Sequence, residues 1–218
     1  MTTKLYSPKE SGEPMKLAIF MSGSGSNAQK IIERYLTLRD TSSEGEHASF
    51  EPVVIFTDEK TSNARRIAQL DYVDRNFQPA YLCNPIGEFY EERGDLTCRD
   101  KAIRAEYDTQ QADMLRSMGV DAVALAGYDW VVTPAICSRF LTVNVHPGEL
   151  CAKKANGKPA YAGLGWIPNA KAILAGEKQV HTTVHIVTAG LDEGPILATS
   201  DPILVPEEAL ALERRVLG

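Results

Sequence analysis

Cysteine is scarce in this chain of 218 residues, and its arrangement fits neither a disulfide framework nor a zinc site. The four cysteines include no Cys-x-x-Cys pair, and none of them has a histidine at metal-ligand spacing. We therefore expect reduced thiols in a cytoplasmic protein with no bound metal.

Long apolar runs are also lacking. No stretch approaches the roughly 20 apolar residues that a membrane-spanning helix needs. The first 14 residues are polar and contain no apolar core of the signal-peptide type. We expect residues 1–14 to form a flexible tail, and we expect no association with a membrane.

The chain also lacks a surplus of positive charge. The chain has 23 Lys and Arg against 29 Asp and Glu, which gives a formal net charge of −6. Such a balance disfavours a broad surface for nucleic acid, although a small local phosphate site stays compatible with it. Small-molecule ligands are therefore the expected partners, and both a monomer and a homodimer stay open.

Short apolar runs alternate with helical patterns over the first 127 residues. The runs Lys16–Met21, Pro52–Thr57 and Asp121–Gly127 are typical of buried strands in a parallel sheet. Helical spacing of apolar residues covers Asn27–Leu38 and Cys98–Met118. The alternation predicts right-handed βαβ units, and hence an α/β fold with a Rossmann-like parallel sheet flanked by helices.

The remaining chain predicts a mixed C-terminal extension of the same sheet. Its elements are a helix, three strands and a terminal helix, expected at Pro168–Ala175, Leu141–Val145, Thr182–Val187, Pro195–Val205 and from Glu207 onward. No linker divides the chain convincingly. We predict one domain over residues 15–218, with halves at about 15–127 and 128–218.

A glycine-rich turn, Ser22–Asn27, stands between the first strand and the first helix. Glycine lets the backbone approach a ligand closely, and a helix N-terminus offers unpaired N–H groups suited to phosphate. The turn lacks the Gly-Lys-Ser/Thr ending of a P-loop and the third glycine of the dinucleotide motif. A phosphate site and a plain capped βα turn are the two interpretations.

Asn144 and His146 stand near the end of a predicted strand. Residues two apart on a strand face the same side, and ligands bind at the carboxyl ends of parallel strands. An amide can stabilise a developing oxyanion, and an imidazole can move a proton near neutral pH. A structural histidine before Pro147 is the alternative.

Other polar residues are ambiguous from spacing alone. Asp192 lies in the turn Gly190–Pro195, which predicts either a solvated turn or a carboxylate that returns to His146. His181 and His185 lack an obvious third ligand for zinc, so we interpret His185 as a partly buried structural residue.

Five of these segments, in order along the chain, resemble the phosphoribosylglycinamide formyltransferase family, the folate-dependent enzymes of purine synthesis. The matching segments are Lys16–Asn27, Asp121–Tyr128, Asn144–Pro147, Thr183–Thr188 and Leu191–Pro195. Together they span roughly residues 15–206. Each segment is short, but five in the same order make a specific signal.

The resemblance implies transfer of a formyl group from 10-formyltetrahydrofolate to the amine of glycinamide ribonucleotide, without a metal. It implies three groups of site residues. The catalytic group is Asn144, His146 and Asp192. The phosphate group is Gly25, Ser26 and Asn27. The folate group is Arg104, Asp129, Trp130, Val131, Val132 and Asn144.

The chain departs from the family at several positions. Gly148 stands where the family usually has serine, and the loop Glu149–Ala160 is longer and rich in lysine. Gly165 replaces a histidine, and Asp129 and Trp130 replace an apolar and a basic residue. These departures concern the pterin pocket and the acceptor rather than the fold.

Three other functions stay open, and the sequence speaks against a fourth, a methionyl-tRNA formyltransferase. A related transferase could act on another amine, such as an amino sugar. A formyltetrahydrofolate hydrolase shares the catalytic trio, but it usually carries an N-terminal regulatory domain and lacks the Gly-Ser-Gly-Ser-Asn turn. A methionyl-tRNA formyltransferase would add an RNA-binding domain and more positive charge. A non-catalytic protein could keep phosphate binding alone.

Overall fold

The computed structural model describes residues 12–41 and 48–209, and the chain divides into two compact units. The first unit ends at Thr142, and the second begins at Val143. Most of the predicted N-terminal tail and of the helix from Glu207 lies outside the described residues. The single domain over residues 15–218 stays a prediction.

The first unit contains a parallel sheet with helices between its strands. Its strands are β1 (Met15–Met21), β2 (Phe50–Thr57), β3 (Ala80–Cys83) and β4 (Ala122–Leu125). Its helices are α1 (Ser26–Thr41), α2 (Ala64–Gln69), α3 (Ile86–Glu91), α4 (Lys101–Ser117) and α5 (Pro134–Cys137), with a 3-10 turn at Val73–Arg75. The strand order is β3-β2-β1-β4, and every pairing among these four is parallel. The predicted α/β class is confirmed.

The core of this unit lies on and around β1. From Leu17 onward β1 is buried, as expected for a strand covered on both faces. Phe20 of β1 packs on Phe56 of β2, with ring centroids 4.4 Å apart. Helix α1 contributes Ile32 and Leu36 to the same core. The apolar runs in the sequence are therefore the central strands.

Helix α4 starts later than predicted because Asp100 caps it. The Asp100 carboxylate accepts hydrogen bonds from the N–H groups of Ala102 and Ile103, at 2.7 and 3.2 Å. The inner face of α4 is unusual, because Arg104 and Asp108 are buried on it. Buried polar groups at these positions need hydrogen-bond or charge partners within the unit.

Over its described residues, 143–209, the second unit consists mainly of antiparallel strands and the helix at Ile167–Leu174. Its elements are the end of β5 (Leu141–His146), α6 (Ile167–Leu174), β6 (Gln179–Val180), β7 (Thr183–Ile186), β8 (Ile196–Thr199) and β9 (Ile203–Leu204). Strand β7 pairs antiparallel with both β5 and β8, and β6 pairs antiparallel with β9. The strand expected at Pro195–Val205 is divided into β8 and β9, and Pro202 falls in the break between them. None of the helices in the described ranges is long and apolar enough to span a membrane.

Replacing Ile19 by alanine should destabilise the protein strongly. Ile19 is fully buried in β1, and such truncations cost about 2–5 kcal/mol because they leave a cavity. Urea unfolding measures the loss. Leu96→Ala is the control, since Leu96 is 79% exposed and its truncation should change stability little. Equal losses in the two variants would contradict this position of the core.

Candidate functional site

The turn Ser22–Asn27 joins β1 to α1 and depends on one glycine. Gly25 has φ +75°, a conformation that residues with a side chain rarely adopt, and a Cβ atom there would meet the ends of the Ile67 and Met21 side chains. The backbone conformation of this turn therefore favours glycine.

Bonds from a neighbouring loop fix the carbonyl groups of this turn. Asn63 donates its backbone N–H to the Gly23 carbonyl at 3.1 Å and its side-chain amide to the Ser24 carbonyl at 3.2 Å. Ser26 and Asn27 open α1 and are exposed. The N–H groups of a first helical turn have no partner within the helix, so this end of α1 can receive an anion.

A buried Ser–Asp pair links the turn to the predicted pterin segment. The Ser22 hydroxyl donates to Asp58 Oδ1 at 2.6 Å and accepts a hydrogen bond from the Asp129 N–H at 3.0 Å. Burial raises the pKa of the Asp58 carboxyl, while the bond from Ser22 opposes that effect. Sequence reasoning missed Asp58, although a carboxylate directly after a buried strand is a usable signal.

Arg104, predicted to contact folate, is buried within the first unit and is not exposed to a ligand. It is 7% exposed, and its Nη2 atom lies 2.9 Å from Asp108 Oδ1. Its guanidinium carbon lies 5.4–5.9 Å from the ring centroids of Tyr107, Tyr128 and Trp130. Burial raises the pKa of Asp108, and the Arg104 charge acts in the opposite direction. The arginine is held by one carboxylate and three aromatic rings.

The other predicted folate residues divide by exposure. Trp130 is half-buried and stacks on Tyr90, with centroids 6.3 Å apart and an interplanar angle of 20°. Asp129 and Val131 are exposed, whereas Val132 is buried. Only part of this segment therefore offers side chains to a ligand in the described conformation.

The second unit brings together the three residues of the predicted catalytic group. Asn144 and His146 project from one face of β5, and Asp192 approaches from the turn after β7. Asp192 has φ +55°, and its Oδ1 atom lies 3.6 Å from His146 Nδ1. Both side chains are almost fully buried. The carboxylate thus returns to the imidazole and does not form a solvated turn.

His185 completes this group and was not predicted to belong to it. Its Nδ1 lies 3.0 Å from the Ile186 carbonyl, which can only accept, so Nδ1 carries hydrogen. Its Nε2 can then accept from the Asn144 amide at 3.2 Å. Asp192 Oδ1 lies 3.7 Å from the same nitrogen. The sequence signal was a histidine within a short strand, which does not reveal the strand opposite.

The environment of His185 favours the neutral form of its ring. Burial lowers the pKa of His185, although the Ile186 carbonyl and the Asp192 charge oppose this effect. Among residues 12–41 and 48–209, no group of three or more His, Cys, Asp or Glu side chains is arranged to hold a metal ion. The arrangement joins an amide, two imidazoles and a carboxylate, which suits proton transfer and stabilisation of an oxyanion.

Comparisons with known proteins point to one family. The model of the formyl transferase family matches residues 15–217. The chain is 28% identical over 197 residues to the phosphoribosylglycinamide formyltransferase of Haemophilus influenzae, covering 89% of this chain and 76% of that protein. The crystal structure of the phosphoribosylglycinamide formyltransferase of Bacillus halodurans matches with a TM-score of 0.64 at 26% identity, over 93% of this chain and 87% of that one. A formyltetrahydrofolate deformylase of Bacillus subtilis is 35% identical over 98 residues, covering 45% of this chain and 30% of that protein. These matches confirm the predicted fold.

Stability should fall at acidic pH partly because of His185. Its pKa is lowered in the folded protein, so below about pH 6.5 the unfolded state takes up a proton that the folded state resists. His185→Gln should therefore lose less stability than the wild type between about pH 7.5 and about pH 5. Urea unfolding at several pH values measures this. An unchanged pH dependence in His185→Gln would contradict the assignment.

Proposed function

The chain belongs to the formyl transferase family, and from that premise we propose that it transfers the formyl group of 10-formyltetrahydrofolate to the amine of glycinamide ribonucleotide. The observation that supports this most is the group of Asn144, His146, Asp192 and His185 at the end of β5. The named relatives among phosphoribosylglycinamide formyltransferases support the same substrates. We also propose that the reaction takes place in the cytoplasm, in keeping with the free cysteines.

Asn144 is proposed to stabilise the oxyanion. The amine of the acceptor attacks the formyl carbon, and the formyl oxygen gains negative charge. One N–H of the Asn144 amide points to His185 Nε2, which leaves the second N–H for that oxygen. A donor of this kind contributes about 3–4 kcal/mol to the transition state in comparable sites. His185 thus fixes which end of the Asn144 amide meets the substrate.

His146 is proposed to assist the proton transfer that completes the reaction. As the new C–N bond forms, the bond between the formyl carbon and the folate nitrogen breaks, and a proton moves from the attacking amine to the leaving nitrogen. An imidazole is suited to carry that proton. Asp192 Oδ1 faces His146 Nδ1 at 3.6 Å, so its charge compensates the ring whenever the ring is protonated.

The phosphate of the acceptor is proposed to bind at Gly25, Ser26 and Asn27. These residues open α1, and the preceding carbonyl groups are tied to Asn63. The anion would therefore meet N–H groups rather than carbonyl oxygens.

Folate is proposed to bind along residues 129–132, with contributions from Asn144 and Arg104. Asp129 and Val131 are exposed and available for contact. Because the Arg104 guanidinium lies beneath the Trp130 ring, contact between Arg104 and folate requires Trp130 to move.

Hydrolysis of the same folate is the second candidate, favoured by the likeness to the Bacillus subtilis deformylase. A hydrolase uses water as acceptor and has no need of a phosphate site. The turn around Gly25 leads into the N-terminus of α1, whose free N–H groups suit a phosphate, and it favours transfer to a phosphorylated amine. Release of free formate without a formylated product would support hydrolysis instead.

His146→Ala should lower kcat for formyl transfer by about 10²–10⁴-fold, because the proton carrier is lost. Asn144→Ala should lower kcat by about 10²–10³-fold, because the oxyanion loses a donor. Product formation from 10-formyltetrahydrofolate and glycinamide ribonucleotide measures both effects. Binding of glycinamide ribonucleotide by calorimetry should persist in each variant. Normal turnover by His146→Ala would contradict the catalytic role of this residue. Formylation of another amine alone would show that the acceptor is not glycinamide ribonucleotide.

Gly25→Ala should abolish binding of the phosphorylated acceptor, since alanine is strained at φ +75° and the turn would have to change shape. Gly23→Ala is the matched control, because a Cβ at Gly23 meets nothing within 4 Å. Titration with glycinamide ribonucleotide should show binding to the control and none to Gly25→Ala. If both variants bind equally, the phosphate site lies elsewhere.

A further inference from the structure

The main-chain carbonyl of Tyr161 contacts His146 directly. The Tyr161 oxygen lies 2.8 Å from His146 Nε2. A carbonyl oxygen can only accept a hydrogen bond, so Nε2 carries hydrogen here. We propose that Tyr161 is a positioning residue whose carbonyl fixes His146 as the Nε2–H tautomer, an inference that rests on the proposed role of His146 in formyl transfer.

The surrounding protein groups, rather than water, determine which nitrogen of the His146 ring carries hydrogen. His146 is 1% exposed. Its other nitrogen, Nδ1, faces Asp192 Oδ1 at 3.6 Å, and the centroid of the His185 ring lies 6.2 Å away. Both the Tyr161 carbonyl and the Asp192 carboxylate accept, but only the carbonyl, at 2.8 Å, is within hydrogen-bond distance, whereas Oδ1 at 3.6 Å is not. The neutral ring therefore places its hydrogen on Nε2.

Side-chain bonds hold the Tyr161 carbonyl in place. The Tyr161 hydroxyl donates to Glu177 Oε1 at 2.7 Å, and this bond raises the pKa of Tyr161 to about 12. Two residues later, the Gly163 N–H donates to Asp192 Oδ2 at 3.0 Å. The segment 161–163 is therefore anchored at Tyr161 to Glu177 and at Gly163 to the carboxylate that faces His146.

Gly148 makes this contact possible. A Cβ at Gly148 would lie 2.8 Å from the Tyr161 oxygen and 3.0 Å from His146 Nε2, directly beside their hydrogen bond. The Gly148 carbonyl is itself pinned by the Thr183 hydroxyl at 2.6 Å, so the backbone cannot easily yield. The serine that the family usually has here would not fit this arrangement.

The tautomer matters because an acyl oxygen is an acceptor of the same kind as the Tyr161 carbonyl. A formyl oxygen that approaches Nε2 therefore meets an N–H donor and not a lone pair. A catalytic histidine in the wrong tautomer loses most of its activity in comparable enzymes. Tyr161 thus keeps His146 ready for the substrate.

Nitrogen-15 NMR of the ligand-free protein tests the tautomer without turnover. At alkaline pH, where both rings are neutral, the wild type should show His146 as Nε2–H and His185 as Nδ1–H. Gly148→Ala should redistribute the His146 tautomers and leave His185 unchanged, which makes His185 an internal control. An unchanged His146 signal in Gly148→Ala would overturn the proposal. A wild type that shows this tautomer but transfers no formyl group would overturn the proposed function alone.

Steady-state kinetics tests the hydrogen bond between the Tyr161 hydroxyl and Glu177, which anchors Tyr161. Tyr161→Phe and Glu177→Ala should each lower kcat by about 2- to 10-fold, the effect of one lost hydrogen bond, with KM for glycinamide ribonucleotide unchanged. Glu177→Gln should behave as the wild type, because its amide oxygen still accepts from the Tyr161 hydroxyl. An equal loss of kcat in Glu177→Gln and Glu177→Ala would overturn the role of the anchor, since a purely structural effect would not distinguish them by hydrogen bonding.

Discussion

The antiparallel pairing of β5 with β7 is the constraint on which the candidate site depends. Its register sets Asn144 opposite His185 and His146 opposite Thr183. A slip of one residue would turn these side chains to the other face of the strands. Because the register holds, an amide and two imidazoles converge on one side, and the turn after β7 can add Asp192 to them.

Each polar group in that cluster depends on another for its orientation. The Ile186 carbonyl decides which nitrogen of His185 carries hydrogen, and this decides how the Asn144 amide lies. Several buried polar groups of the first unit have fewer hydrogen bonds than they could make. Asp58 Oδ2, the Tyr128 hydroxyl and all three nitrogens of Arg104 lack a well-aligned hydrogen bond, although Arg104 pairs with Asp108 by charge. Buried groups left this way are uncommon and call for a functional reason.

The features predicted from the sequence are those that depend on patterns within a single strand. Continuous apolar runs identified β1 and β2, and two-residue spacing placed Asn144 and His146 on one face, because both follow from the geometry of one strand. Contacts between distant segments left no such signal. The return of Asp192, the partnership of His185 with Asn144 and the enclosure of Arg104 each depend on tertiary packing that spacing cannot show. Helix α3 was also missed, since its one buried turn at Ile86, Phe89 and Tyr90 is too short for a clear period.

The stacking of Trp130 on Tyr90 gives the protein an optical reporter at the predicted pterin segment. The chain has two tryptophans, and their surroundings differ sharply. Trp166 is 76% exposed, whereas Trp130 is half-buried beside a tyrosine ring and a guanidinium group. The emission of Trp130 therefore separates from that of the hydrated Trp166. A displacement of the ring that covers Arg104 can be followed by the fluorescence of the native chain, without an attached dye.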